Sequence, residues 1–379
     1  MRGALHRRGG DGLKVFVYAI AKNEAAFADR WVDSMSEADG IVVLDTGSTD
    51  DTAARLRARG VTVVSGTVSP WRFDDARNAS LALVPPEADL CVCTDLDEVF
   101  RPGWRQAAEA AWVPGVNQLR YRYTWNFNED GSEGYVFYIE KIHARSGFRW
   151  VGAVHEVLRC PEPRTAEAPG IQLDHHADPT KSRAQYLPLL ELAVREEPEN
   201  DRNVHYLGRE YLFRGRWDDA IRTLLKHLGL PSARWADERC ASMRYLSRCY
   251  LEKGNRAEAE RWLLRAAGEA PWLREPWLEL AEQLARAGDW HGVCFAARRA
   301  LAIRERPGTY VSEARAWGSL PYDLLSLGLY YTGSYRLAGE AVDQALRLEP
   351  ENPRLLENRR FIYARLGPEP PEQENAPPG

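Results

Sequence analysis

Long apolar runs are missing from this 379-residue chain. The longest, Val15–Ala21 and Ile41–Leu44, fall far short of the ~20 residues a helix needs to cross a bilayer. Cysteine is sparse as well. The six residues Cys91, Cys93, Cys160, Cys240, Cys249 and Cys294 show no CxxC pairing, so neither a zinc ribbon nor a disulfide framework is indicated, and a reduced, cytoplasmic protein is the expectation. The basic start, Met1–Arg8, has no apolar segment behind it; residues 1–12 read as a flexible leader rather than a signal peptide. No polybasic run or amphipathic anchor points to a membrane surface, and no nucleic-acid signature stands out.

What is present is a hydrophobic content of 44% over a length that supports two cores. The net charge of −5 is unevenly spread: residues 1–200 carry roughly 23 basic and 30 acidic side chains, whereas the second half is mildly basic. The acids and bases of that second half interleave at helical spacing, which suits solvated helix faces.

The first half alternates strand and helix patterns. Lys14–Ala21 reads as a strand, Asn23–Ser36 as a helix, and Ile41–Leu44 as a strand ending at Asp45. A turn at Gly47-Ser48-Thr49-Asp50 feeds a helix. Val61–Val64 is a third strand, Arg72–Leu83 a helix stopped by Pro85-Pro86, and Leu90–Thr94 a fourth strand ending at Asp95. Such alternation implies a parallel sheet flanked by helices, with ligands gathered at the carboxyl ends of the strands. Residues 116–160 differ, being aromatic and alternating. Leu119–Trp125 and Tyr135–Ile142 read as antiparallel strands placed to cap the site and shape an acceptor pocket.

The second half shows no strand pattern. Leu207–Ala220, Tyr250–Ala259, Leu284–Trp290 and Leu329–Tyr335 are copies of one helix–turn–helix unit, with glycines at 215, 254, 288 and 333, spaced 39, 34 and 45 residues apart. A glycine in the left-handed conformation ends the first helix of each unit, and Trp217 and Trp290 pack between helices. The units resemble tetratricopeptide repeats, whose period is about 34 residues. The segment 367–379 is Pro- and Glu-rich and reads as a disordered tail. The expected domains are therefore 13–180 (α/β, catalytic) and 181–366 (all-α helical repeats).

Asp95-Leu96-Asp97 sets two carboxylates just past a strand end. Hard divalent cations such as Mg²⁺ or Mn²⁺ take oxygen ligands and bridge to phosphate. About one such triplet is expected by chance in a chain of this composition, so its weight comes from position: it follows an apolar strand and lies downstream of Asp45.

Four blocks carry a more specific signal, in order: Ile20-Ala21-Lys22-Asn23-Glu24, Val43–Thr52, Phe73-Asp74-Asp75-Ala76-Arg77-Asn78 and Thr94–Glu98. Together they resemble family 2 glycosyltransferases over roughly the first 100 residues. A catalytic domain of this family followed by tetratricopeptide-like repeats is a known layout, found in a peptide S-glycosyltransferase. The resemblance implies a Rossmann-like nucleotide-diphospho-sugar transferase domain and an inverting, metal-dependent transfer (Mn²⁺ or Mg²⁺) from a nucleotide sugar, with a UDP-sugar the family default. It implies that Asn23 and Glu24 lie beside the nucleotide, that Asp45 holds base or ribose, and that Asp75 and Arg77 sit near base and diphosphate. Asp95, with Leu96, faces ribose and metal, and Asp97 binds the metal. Glu156 in Gly152–Glu156 is the first choice of catalytic base and Glu98 the second; His176 or His175 completes the metal shell.

Each residue also has a plainer reading. Asp45 and Asp50 suit turns and caps, Arg77 an ion pair, His155 a hydrogen-bonded loop, and His175-His176 structural hydrogen bonds. Trp71, Trp125 and His155 are candidate acceptor-side residues. The repeats favour a peptide or protein acceptor, or a homodimer contact; a lipid-linked glycan, small molecule or nucleic acid is the alternative acceptor. Two other classes compete. A nucleotidyltransferase usually has a Gly-rich loop after the first strand, where this chain has Ala21-Lys22-Asn23-Glu24. A repeat scaffold with an inert nucleotide-sugar-binding domain is the other.

Overall fold

The structure is a computed structural model that describes residues 12–128, 131–178 and 185–366. The expected leader (but for residue 12) and tail lie outside the described residues. The chain divides into two compact units, Met1–Glu196 and Glu197–Gly379.

The first unit begins β1 (Val15–Ala21), α1 (Ala25–Ser34), β2 (Gly40–Asp45), α2 (Thr52–Ala58), β3 (Thr62–Ser65), α3 (Phe73–Ala82) and β4 (Leu90–Cys93). It continues with β5 (Glu98–Phe100), α4 (Trp104–Ala111), β6 (Gln118–Thr124), β7 (Val136–Ala144), β8 (Arg149–Val151), β9 (Val157–Arg159), β10 (Thr165–His175) and α5 (Tyr186–Glu196). Eight strands form one mixed sheet in the order β3-β2-β1-β4-β7-β6-β10-β5, and β8 pairs with β9 separately. The first four are parallel; β7 runs antiparallel to both β4 and β6.

β1 is buried on both faces, as a central parallel strand must be. Val15, Val17, Ala19 and Ala21 pack with Trp31 of α1, Met35 just past it and Trp104 of α4. Tyr18, on the other face, packs with Cys91, Cys93, Leu81 and Trp150. Each large side chain so removed from water contributes about 1.5–3 kcal/mol. The aromatic segment does not form a separate cap. β6 and β7 extend the sheet beyond β4, because their alternating apolar positions Leu119, Tyr121 and Ile142 join the same core.

The second unit is helical among its described residues: α6 (Asp201–Phe213), α7 (Trp217–Gly229), α8 (Ala236–Glu252), α9 (Arg256–Glu269), α10 (Glu275–Ala287), α11 (Trp290–Ala302), α12 (Leu320–Tyr331), α13 (Tyr335–Leu348) and α14 (Pro353–Tyr363). The four glycines expected at the turns all take positive φ, from +68° at Gly215 to +82° at Gly333. Asn255 and Asp289, which directly follow two of them, cap the next helix by accepting from the backbone N–H of Glu258 and Gly292. Trp290 stacks on Tyr331 with ring centroids 4.1 Å apart, joining neighbouring pairs. No helix among the described residues is long and apolar enough to cross a membrane.

Candidate functional site

The carboxyl ends of β1, β2 and β4 carry the polar blocks. Past β1, Asn23 has φ +57°. Its Oδ1 accepts from the Thr49 N–H at 2.7 Å and its own N–H donates to Ser48 Oγ at 3.0 Å. The turn after β2 is thereby laced to the turn after β1. Asp45, buried at the end of β2, accepts from the N–H and hydroxyl of Ser48. Asp50 accepts from Ala25 N–H at the start of α1 and from Thr52 at the start of α2, serving both helices. These contacts hold its carboxyl below the usual range against the upward push of burial. Glu24 is buried, its N–H donating to Thr52 Oγ1 at 2.7 Å.

α3 organises the opposite side. Its first-turn Asp74 is buried, paired with Arg72 and accepting from Gly152 N–H at 2.9 Å. Asn78, one turn on, exchanges two hydrogen bonds with the backbone of Trp150. Gly152 takes φ +114°, which only glycine adopts without strain. Thus clamped, the loop after β8 brings Glu156 to the buried Arg77, whose Nε donates to it. The same guanidinium reaches Asp95 Oδ1 at 2.9 Å and lies over the Trp150 ring. Burial opposes the Arg77 charge, but Asp95 and Glu156 hold it well above its ordinary value. Asp75 points outward; its carboxylate is about half exposed and lies 3.7 Å from Arg72.

Past β4, Leu96 turns its side chain into the core. Glu98 is almost fully buried, with both oxygens engaged: one by Asp95 N–H at 2.9 Å, the other by the Tyr123 hydroxyl at 2.9 Å and the Lys141 ammonium at 2.8 Å. Lys141 is itself part-buried. Desolvation disfavours its charge, yet Glu98 and Asp95 raise its pKa overall.

The two histidines at the end of β10 differ. His175 Nδ1 bonds the Trp125 carbonyl at 2.9 Å, and its Nε2 lies 3.6 Å from Asp97 Oδ2. Burial lowers its pKa, but Asp97 and the Trp125 carbonyl prevail and raise it. His176 instead stacks on Phe127 with centroids 5.4 Å apart, while its N–H donates to the Asp97 carbonyl at 2.8 Å. Its pKa is lowered, by burial first and then by Arg30.

Of the acceptor-side candidates, Trp125 is half exposed and lies 4.7 Å from the His175 ring, centroid to centroid. Trp71 sits against Ile20 and Leu44 at the ends of β1 and β2 and Ala76 of α3, with its indole Nε1 buried and unpaired. His155, at φ +52°, meets the Tyr186 hydroxyl through Nε2 at 3.1 Å. Asp74, Tyr123, Lys141 and Tyr186 escaped sequence reasoning. Asp74 adjoins Asp75 in the third block, and the others lie in segments without motifs.

An Asp97 carboxylate and a His175 imidazole whose other nitrogen is anchored make an O/N donor pair suited to a divalent cation such as Mn²⁺. Asp95, by contrast, is turned to Arg77.

No protein-family model matches the chain. Similar solved structures include a MamA protein, 17% identical, covering 44% of this chain and 81% of that one at TM-score 0.35. Another is the C-terminal part of a TPR repeat-containing protein from Cytophaga hutchinsonii, 12% identical, covering 48% and 66% at TM-score 0.40. A third is glucosyl-3-phosphoglycerate synthase from Mycobacterium tuberculosis, in complex with Mn²⁺, uridine diphosphate and glucosyl-3-phosphoglycerate. It is 28% identical, covering 32% of this chain and 50% of that one at TM-score 0.26. The neighbours thus include repeat proteins and a glycosyltransferase. Their TM-scores are low, and the functional reading rests on the geometry of the site itself.

Proposed function

We propose that the chain is an inverting, family 2-like glycosyltransferase that moves a sugar from a nucleoside-diphosphate sugar to a peptide or protein acceptor. The observation that carries this reading is the convergence of Asn23, Asp45, Asp95 and Asp97 at the carboxyl ends of three adjacent parallel strands, with His175 turned to Asp97. A nucleotide is held at such strand ends, with Asp45 and Asn23 on the base and ribose side. Asp97 and His175 would hold a divalent cation, which neutralises charge on the departing diphosphate.

Glu156 takes the proton of the attacking acceptor group as the new bond to the anomeric carbon forms and the bond to the diphosphate oxygen breaks. Arg77 orients Glu156 and, through Asp95, couples the base to the donor side. Trp125 offers an exposed ring for sugar or acceptor stacking. Glu98, tied on both oxygens, supports Asp95 and Lys141. The helical repeats supply the surface that grips the acceptor chain.

The test is release of nucleoside diphosphate from a panel of nucleotide sugars with Mn²⁺, by the full chain and by Asp97→Asn. Metal-dependent release that the substitution abolishes supports the reading. Binding of no nucleotide sugar, or release unchanged by Asp97→Asn, rejects it in favour of a repeat scaffold.

A further inference from the structure

The second unit holds a cluster that the sugar-transfer reading does not use. His205 on α6, His227 on α7 and Glu238 on α8 are all buried, and one ligand atom from each lies within 4.8 Å of the other two. Among the described residues this is the one group of three His, Cys, Asp or Glu side chains gathered so closely. The three come from three consecutive helices, across the boundary between one helix pair and the next.

The hydrogen-bond pattern around them is directional. Ser242, one turn after Glu238 on α8, sets its Oγ 2.8 Å from His205 Nδ1 and 2.9 Å from His227 Nδ1. A serine oxygen has two lone pairs and can accept from both rings at once. In the tautomers that do so, both Nδ1 carry the proton and each Nε2 presents a lone pair. Both Nε2 atoms are buried and have no hydrogen-bond partner. His227 Nε2 lies 3.5 Å from Glu238 Oε1, too far for a good hydrogen bond. The other carboxylate oxygen of Glu238 accepts from the Tyr310 hydroxyl. A simple core role for the pair leaves two buried nitrogens unsatisfied.

We infer that His205, His227 and Glu238 form a buried binding site for a divalent transition cation, zinc foremost, separate from any metal used with the sugar donor. Two imidazole nitrogens and one carboxylate oxygen are a donor set that zinc accepts, and with three protein ligands the fourth tetrahedral position falls to water. Ser242 fixes both ring orientations from behind, as hydrogen-bond partners of metal-bound histidines do. Zinc bonds of about 2.0–2.1 Å bring tetrahedral ligand atoms to about 3.3 Å from one another, against the 4.8 Å within which they now lie. The ion pins α6, α7 and α8 together.

The experiment uses the full chain, stripped with chelator and titrated with Co²⁺ and then Zn²⁺. One equivalent of Co²⁺ is expected to give the visible absorption of a tetrahedral N/O site. Zn²⁺ should abolish that absorption and raise Tm. His227→Gln and Glu238→Gln should each weaken Zn²⁺ binding by about 100-fold or more, while Asp97→Asn and His175→Gln leave the Co²⁺ absorption intact. Loss of the absorption in Asp97→Asn but not in folded His227→Gln overturns the proposal. So does a wild-type chain that stays folded, shows no tetrahedral Co²⁺ absorption and retains no zinc; this arm needs no variant to fold.

Discussion

His175 presents Nε2 to Asp97 Oδ2 across 3.6 Å because its Nδ1 is anchored on the Trp125 carbonyl. The adjacent His176 has its ring on Phe127 instead. If the first of these pairs holds the metal, His175→Ala and Asp97→Asn each lower metal-dependent donor turnover by about 100-fold or more. His176→Ala changes it by less than about 5-fold. Initial rates of nucleoside diphosphate release across a Mn²⁺ titration check both numbers, and equal losses at the two histidines would refute the assignment.

Arg77 serves two carboxylates from a buried position. Arg77→Met removes the buried cation that Glu156 and Asp95 share and is expected to destabilise the first unit by about 3–5 kcal/mol. Arg77→Lys keeps the charge but cannot span both acids in one plane, so it should retain more stability than activity. Urea unfolding, with turnover measured on the same preparations, separates the two effects.

Glu156 and Glu98 should fail differently. Glu156→Gln is expected to reduce transfer to acceptor by about 1,000-fold while leaving nucleotide-sugar binding within a few-fold. Glu98→Gln removes the charge facing Lys141 and replaces one of the two acceptor oxygens that serve Lys141, Tyr123 and the Asp95 backbone, and should chiefly lower Tm. Calorimetric donor binding beside a transfer assay discriminates them. Donor binding lost in Glu156→Gln would place that residue on the donor side.

His143 is fully buried between the Tyr18 hydroxyl and the Ala144 carbonyl, and burial pushes its pKa from 6.5 down to about 4. The fold accepts only the neutral ring, so its contribution is complete above the unfolded value and is lost as pH falls through the window from 6.5 to about 4. The loss is on the order of 3 kcal/mol. Unfolding free energy of the full chain should therefore drop steeply in that window, and His143→Gln should flatten the drop. An unchanged slope in the variant would assign the acid sensitivity elsewhere.

Gly152 is held at φ +114° by the grip of α3 on its N–H. Gly152→Ala is expected to cost about 1–2 kcal/mol and to lower turnover by displacing Glu156. Gly254→Ala, at φ +75° in an open turn of the repeats, should cost about 1 kcal/mol without touching activity. Paired Tm and rate measurements test the contrast.

Much of this arrangement was legible in the chain. Apolar runs ending in acids located the parallel strands and their functional ends, since a strand buried on both faces has few other sequences open to it. The repeat glycines announced the helix turns because only a residue without Cβ takes positive φ freely. The strand identity of 118–124 and 136–144 was legible too, but their place inside the main sheet was not; edge pairing between distant strands leaves no local mark.

The sequence by itself thus determined where strands end, where helices turn, and that acids crowd one end of a sheet. Only the tertiary structure decided among neighbours. Asp74 is buried and Asp75 exposed because successive residues on a helix point roughly 100° apart. The His175 ring turns to the Asp97 carboxylate and the His176 ring to Phe127 because adjacent residues at a strand end face opposite sides. His205, His227 and Glu238 share no motif at all. They meet because three helices pack with those positions inward, and packing, unlike periodicity, is a property of the whole chain.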